Sequence, residues 1–529
     1  MAKYGRKDPC YCGSGIKYKR CHGAFNAQDR IGAEMRGLLA NMQAAEVQRQ
    51  RQQGLGRPII SAEMSGGRRI VAVNDRLMHS TKWKTFHDFL GDYIKIALGP
   101  EWGNGELAKT SEQRHPILNW YQLVCERQRA VVKIPGEVFD AQMTGAVAAY
   151  YHLAYDLYEL HHNVELQEKL VVRLRNRGNF EGARYEIFVA AALIRAGFTI
   201  EFEDEDDRTT SHCEFTATFT RTGKRFSVEA KHRSGARPRM GRLLIGALRK
   251  RANHPRIIFV DVNMPDDGSE VGGSTLMNSA VRKLRGFEDV KVDGVLLPPA
   301  YLIVTNTPWH HHLRSTSYRS CADIDGFRIP DFKANLKLPL REAIDARERH
   351  REIVELIESM RDHWDIPVTF DGEIPEFAFG GDVPRLKIGG QYLVADADGV
   401  ERPGRLTTAT VNEVEKAAYC ALSFADGKSA IYVWPLSDDE MSAWRRHPDT
   451  FFGQLTQRST KARTPLELYD FFFESYKRTP KERLLEFLDK SPDIESLAML
   501  DQAELARVYA ERCVYAAMST TPQANQGDV

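Results

Sequence analysis

Long apolar runs are missing from this sequence. The longest, such as "RIIFVDV" (256–262) and "AYLIVT" (300–305), fall far short of the roughly 20 residues that cross a bilayer, so no helical membrane span is expected. The opening "MAKYGRKDPC" has no apolar signal region either, and a cytoplasmic protein is expected. An excess of one charge is also absent: 73 Lys and Arg meet 72 Asp and Glu, for a net charge of +1. Whole-chain charge therefore points to no nucleic-acid or membrane partner, and any such signal must be local. Cysteine is scarce. Eight in 529 residues make no disulfide framework, and Cys125, Cys213, Cys321, Cys420 and Cys513 stand far from one another. No G-x-x-x-x-G-K-S/T loop occurs, which excludes that route to nucleotide hydrolysis. There is no internal repeat.

What is present is length and a changing period. Single cores rarely grow beyond about 250–300 residues, so a multidomain α+β protein is expected. Residues 1–25 carry the remaining cysteines. Residues 26–180 read as a helical domain, with amphipathic stretches such as "WKTFHDFLGDYIKIAL". From 181 to 315 helix and strand alternate: "FEGARYEIFVAAALIRAG" closing on Gly197, then strands "FTIEFE", "CEFTATF" and "RFSVEA", helix "GRLLIGALRKRA", strand "RIIFVDV", helix "STLMNSAVRKLRGF" and strand "AYLIVTN". This predicts a central α/β domain with a mixed sheet. A helical connector (316–365), a small β-rich module with Gly and Asp turns (366–465), C-terminal helices (466–515) and a disordered polar tail (516–529) complete the expectation.

The clustered cysteines lie in "DPCYCGSGIKYKRCHG". Cys10, Cys12, Cys21 and His22 supply three thiolates and one imidazole, a complete tetrahedral shell for a structural Zn²⁺, and the glycines between the pairs let the loop fold back. Unrelated thiols are the plain alternative. The stretch closely resembles the SEC-C motif, the zinc-binding tail of the preprotein translocase ATPase. That resemblance covers about residues 5–25 and implies docking to a partner protein or membrane surface rather than chemistry. Lys17, Lys19 and Arg20 offset the thiolate charge and would suit phosphate or an acidic partner.

A second feature is "FSVEAKHR" (226–233). An apolar strand runs into Glu229 and Lys231, which share a face because strand residues two apart do. Acid-x-Lys alone is weak, recurring as "DVK" (289–291), "DFK" (331–333) and "DGK" (426–428). Only the copy at 229–231 ends an apolar strand that follows, one hairpin later, a strand opening with Glu214, and before that a helix carrying Glu186. This order resembles the PD-(D/E)XK phosphodiesterases of the restriction-endonuclease-like fold, over about residues 181–265. The resemblance implies catalytic roles for Glu186, Glu214, Glu229 and Lys231. Glu214 and Glu229 would hold Mg²⁺ or Mn²⁺, and Lys231 would orient a water or steady phosphate charge. The family's strand acid is most often Asp after Pro, whereas Glu214 follows Cys213. Asp206 or Asp207 in "EFEDEDDR" is an alternative ligand, although that run reads as a solvated loop. An exposed Glu229–Lys231 ion pair, worth roughly 0–1 kcal/mol, is the plain reading of the same residues.

Between Ala230 and Val260 there is no acid at all. Arg233, Arg237, Arg239, Arg242, Arg249, Lys250 and Arg251 fall in this run, which reads as a phosphate-contacting surface or, more plainly, a solvated helix face. The three histidines of "TPWHHHL" read as surface or packing residues. Together these features point to a metal-dependent endonuclease, with DNA as the expected substrate, fused to a zinc docking module. Such fusions suggest, by analogy alone, bacterial defence against foreign DNA. The rival is a non-catalytic adaptor that binds nucleic acid or protein through a nuclease-like fold.

Overall fold

A computed structural model describes residues 22–202, 213–233, 240–266, 272–379, 385–395, 400–456 and 464–520, with single residues 17 and 462. Helix α1 (His22–Gln53) leads into an antiparallel meander of β1 (Ser61–Met64), β2 (Arg68–Val73) and β3 (Arg76–Ser80). These strands interrupt a region whose pattern predicts helix. The signal lay in the turns: Gly66, Gly67 and Asn74 all adopt positive φ, as tight hairpins require.

Helices α2 (Phe86–Leu98), α3 (Pro100–Leu107), α4 (Pro116–Val131), α5 (Gly145–Glu159) and α6 (Val164–Arg175) follow. Thr85 starts α2 with a capping box, its hydroxyl accepting from Asp88 N–H at 3.3 Å while the Asp88 carboxylate accepts from Thr85 N–H at 2.8 Å.

Next come α7 (Phe180–Arg195), β4 (Phe198–Phe202), β5 (Phe215–Phe219), β6 (Arg225–His232), α8 (Met240–Leu248), β7 (Arg256–Asp261) and α9 (Gly272–Arg285). A short hairpin of β8 (Lys291–Val292) and β9 (Val295–Leu296) precedes β10 (Ala300–Asn306) and β11 (Cys321–Phe327). Gly197, at φ 87, turns the chain from α7 into β4. The six-stranded sheet has the order β11-β10-β7-β6-β5-β4. Neighbours β4, β5 and β6 run antiparallel, β6, β7 and β10 run parallel, and β11 returns antiparallel. The expected mixed sheet is present. Its edge strand β11, however, lies in the stretch expected to be a helical connector, and it pairs with β10 over seven residue pairs.

Period-two alternation divides the sheet into two cores. Phe226, Val228 and Ala230 of β6, with Ile257 and Phe259 of β7, join α7 and the helices α2 to α6 in one apolar cluster that reaches from Ile59 to Phe370. The other face, through Ile258, Val260, Leu302 and Val304, packs on Leu244 and Leu248 of α8 and Val281 and Leu284 of α9. Helices thus cover both faces of the sheet.

Beyond β11, α10 (Leu340–Arg349), α11 (Arg351–Asp362) and α12 (Pro375–Phe379) precede a four-stranded antiparallel sheet of β12 (Gln391–Ala395), β13 (Glu401–Asn412), β14 (Ala417–Ser423) and β15 (Ser429–Pro435). Helices α13 (Asp438–Arg446), α14 (Pro465–Tyr476), α15 (Lys481–Phe487), α16 (Ile494–Leu497) and α17 (Gln502–Thr520) close the described chain. A disordered tail is expected from 516, but α17 continues to Thr520; residues 521–529 lie outside the described residues.

Candidate active site

The site is built where β6 leaves the apolar sheet. Phe215 of β5 pairs with Val228 of β6, and Glu214 N–H donates to Val228 O at 3.0 Å, so Glu214 stands across from Glu229. Val228 and Ala230 point to the large core, which turns Glu229 and Lys231 toward the opposite face. Glu229 is fully buried, with 0% exposure. Lys231 Nζ contacts its Oε1.

Lys250, just past the end of α8, completes the cluster. Its Nζ lies 2.9 Å from Glu229 Oε1 and 3.1 Å from Glu214 Oε1. Both ammonium groups therefore meet the same oxygen of this buried carboxylate. Arg173 of α6 ties in the helix acid: its Nη2 donates to Glu186 Oε1 at 2.6 Å, and its Nη1 lies 3.9 Å from Glu214 Oε2. All four sequence-predicted site residues, Glu186, Glu214, Glu229 and Lys231, therefore belong to one chain of charges.

Burial sets the electrostatics. It pushes the Glu186 carboxyl up to about 7; the nearby charges of Glu214 and Glu229 add to the rise, and Arg173 opposes it. Burial raises Glu229 as well, with Glu214 adding while Lys231 and Lys250 pull down. For Lys250 burial alone would favour the neutral amine, but Glu229 and Glu214 outweigh it and hold the ammonium above its ordinary value. Negative charge crowded in a low-dielectric niche is here balanced by cations at contact distance. Taking one partner out of such a buried pair costs about 3–5 kcal/mol.

The predicted basic surface divides. Arg242, Arg249 and Arg251 are exposed, with Arg249 Nη2 3.4 Å from Asp293. Arg233 is not on the surface: it is 4% exposed and its Nη1 donates to Val262 O at 3.0 Å, so it ties the end of β6 to the end of β7. Lys250 faces the carboxylates, not solvent phosphate. Arg237, Arg239 and the alternative acids Asp206 and Asp207 lie outside the described residues.

Sequence reasoning missed Arg173 and the inward role of Lys250. Neither had a usable signal, since Arg173 sits in an ordinary charged helix and Lys250 between two arginines. It also missed a second polar group at the same end of the sheet. His232, next to Lys231, meets Asp261 at 2.9 Å through Nδ1 and Glu181 at 3.2 Å through Nε2, and Asp261 is fully buried at the end of β7. Of the histidines after β10, His311 is exposed with its Nε2 3.0 Å from Asn263 Oδ1, and the half-buried His312 accepts through Nε2 from Asp266 N–H at 2.9 Å.

Of the predicted zinc ligands, Cys10, Cys12 and Cys21 lie outside the described residues and His22 is described by its helical backbone alone. Among the described residues no three His, Cys, Asp or Glu side chains stand together as a metal-binding group. Glu214 and Glu229 nonetheless converge on a single cation, the Lys250 ammonium. Among the described residues no helix is long and apolar enough to cross a membrane.

A family model of the SEC-C motif matches residues 6–24, the stretch that holds Cys10, Cys12, Cys21 and His22. The SEC-C motif is in general a zinc-binding motif. No curated protein and no solved structure matches the chain.

Proposed function

We propose that this protein is a divalent-cation-dependent nuclease acting on DNA, with its centre at Glu214, Glu229 and Lys231. The observation that carries the reading is the convergence of Glu214 and Glu229 on one cation at the end of β6, with Lys231 on the same strand face. The succession α7–β4–β5–β6–α8–β7, with a parallel β6–β7 pair, is also the order expected of a restriction-endonuclease-like core.

The donor set suits Mg²⁺ or Mn²⁺. Mg²⁺ is commonly held by one or two carboxylates with the remaining positions open to water and phosphate, and Glu214 and Glu229 supply two carboxylates turned to one point. When bound, such an ion would neutralise phosphate charge and acidify an attacking water. The chain's own contribution is positional. Lys231, 23% exposed at its side chain, is placed to offer N–H donors to a phosphate oxygen or to the water. Glu186, held by Arg173, borders the carboxylate niche from the helix side and keeps its proton up to about pH 7. The zinc module of Cys10, Cys12, Cys21 and His22 serves as a docking element for a partner.

The test is cleavage of supercoiled plasmid and single-stranded DNA with Mg²⁺, Mn²⁺ or EDTA. Glu229→Ala and Lys231→Ala should each abolish most of the cation-dependent cleavage, and Glu229→Ala alone should weaken Mn²⁺ binding by calorimetry. A second reading, a nucleic-acid or protein-binding adaptor, is favoured by the Lys250 ammonium, which neutralises the carboxylates without any metal. Wild-type protein that binds DNA but never cuts it, with either ion, would leave that reading standing.

A further inference from the structure

Lys250 sits between the two carboxylates that a metal ion would have to share. A cation bridging two carboxylates must lie within contact distance of an oxygen from each, and Lys250 Nζ is 2.9 Å from Glu229 Oε1 and 3.1 Å from Glu214 Oε1. Two cations cannot share that point, because like charges a few ångströms apart in a poorly solvated niche repel strongly. The ammonium is not sealed in. Its side chain is 18% exposed, it lies two residues beyond α8, and it is flanked by the exposed Arg249 and Arg251.

We propose that Lys250 is a latch: in the free protein its ammonium fills the cation position between Glu214 and Glu229, and it leaves when nucleic-acid phosphate arrives at the Arg249–Arg251 edge. This rests on the nuclease reading and adds to it a coupling between substrate and metal. Phosphate held by Arg249 and Arg251 offers Lys250 a second anion outside the niche. Once Lys250 turns to it, Glu214 and Glu229 lose the cation they share, with Lys231 still at Glu229 and Arg173 near Glu214, and their affinity for a divalent ion rises. By reciprocity the ion must in turn tighten nucleic-acid binding. Metal-dependent chemistry would then be assembled only on substrate.

The experiment is calorimetric titration of Mn²⁺ into wild-type protein, Lys250→Met and Lys250→Arg, with and without a short DNA duplex kept on ice and corrected for the duplex's own Mn²⁺ uptake. Lys250→Met keeps much of the apolar stem and removes the charge; Lys250→Gln replaces it if that protein does not fold. Expected is Mn²⁺ binding about tenfold tighter in Lys250→Met than in wild type, a size ordinary for coupling between two ligands, with Lys250→Arg close to wild type. The duplex should tighten Mn²⁺ binding in wild type and leave Lys250→Met unchanged. Equal or weaker Mn²⁺ affinity in Lys250→Met overturns the latch. If wild type still cuts DNA in a Glu229-dependent way in that case, the nuclease reading survives without it. No Mn²⁺ binding in any of the proteins, together with no cleavage, removes both.

Discussion

Glu186 sits beside two other acids in a niche that water barely reaches, and its protonation records that. Its carboxyl rises from an ordinary 4.5 to about 7, first through burial and then through Glu214. The folded state therefore keeps a proton that the unfolded chain releases. Stability from this group is fully present below pH 4.5 and is lost as pH rises through 7. Glu186→Gln, which cannot ionise, should remove this loss, changing the wild-type-minus-variant difference by up to about 3 kcal/mol between pH 4.5 and 8. Urea midpoints at the two ends of that range measure it; parallel pH profiles for the two proteins would show that Glu186 is ionised throughout. Acid-x-Lys in the sequence announced Glu229 and Lys231, because only a strand end could place an acid and a lysine on one face. It could not announce that a second cation, Lys250, would enter from the next connection.

Among the elements, α5 and the segment after β10 lock together through backbone. Gly145 N–H donates to Ser315 O at 3.0 Å and Ala146 N–H to Leu313 O at 3.1 Å, so two of the unpaired amides at the start of α5 are satisfied by a distant loop. A Cβ at 145 would run into the carbonyl oxygens of Trp309 and His312, which cannot yield without moving backbone. Gly145→Ala should therefore cost about 1–3 kcal/mol by overpacking. Gly182 in α7 has no neighbouring atom where its Cβ would stand, and Gly182→Ala should gain up to about 1 kcal/mol from helix propensity. Urea denaturation of both variants decides the matter, and a stabilised Gly145→Ala would refute the packing argument. The main helices and strands from 180 to 306 were legible because each has a strong period and a marked end, such as Gly197; the two-residue strands β8 and β9 were too short to show a period. Strands β1 to β3 and β11 were not, being short or lacking a flanking signal.

For the molecule as a whole, two predictions concern what it binds. One zinc per chain is expected at Cys10, Cys12, Cys21 and His22. Elemental analysis of protein purified without chelator should find it, and Cys12→Ser should lose it while the thermal transition of the body is unchanged, since metal supplies most of the folding energy of so small a module. Charge reversal of the exposed pair, Arg249→Glu with Arg251→Glu, should weaken DNA binding and lower the log–log salt slope by about 1.8 in all, roughly 0.9 for each B-DNA phosphate that is no longer neutralised. An unchanged slope would mean that this edge is merely solvated.

The sequence by itself determined what depends on local order. Residue spacing singled out the cysteine cluster, a residue's position in its strand put Glu229 and Lys231 on one face, and alternating periods predicted the mixed sheet. Tertiary structure decided what depends on approach in space. Arg173 reaches Glu186 across 13 positions of chain, Lys250 reaches Glu214 across 36, and Arg233, read as a surface cation, is buried against Val262. A run of basic residues looks uniform in sequence because charge is a property of each side chain alone. Which of them faces solvent and which fills a carboxylate niche is set by how α8 and β7 pack beside β6, and no local pattern carries that information.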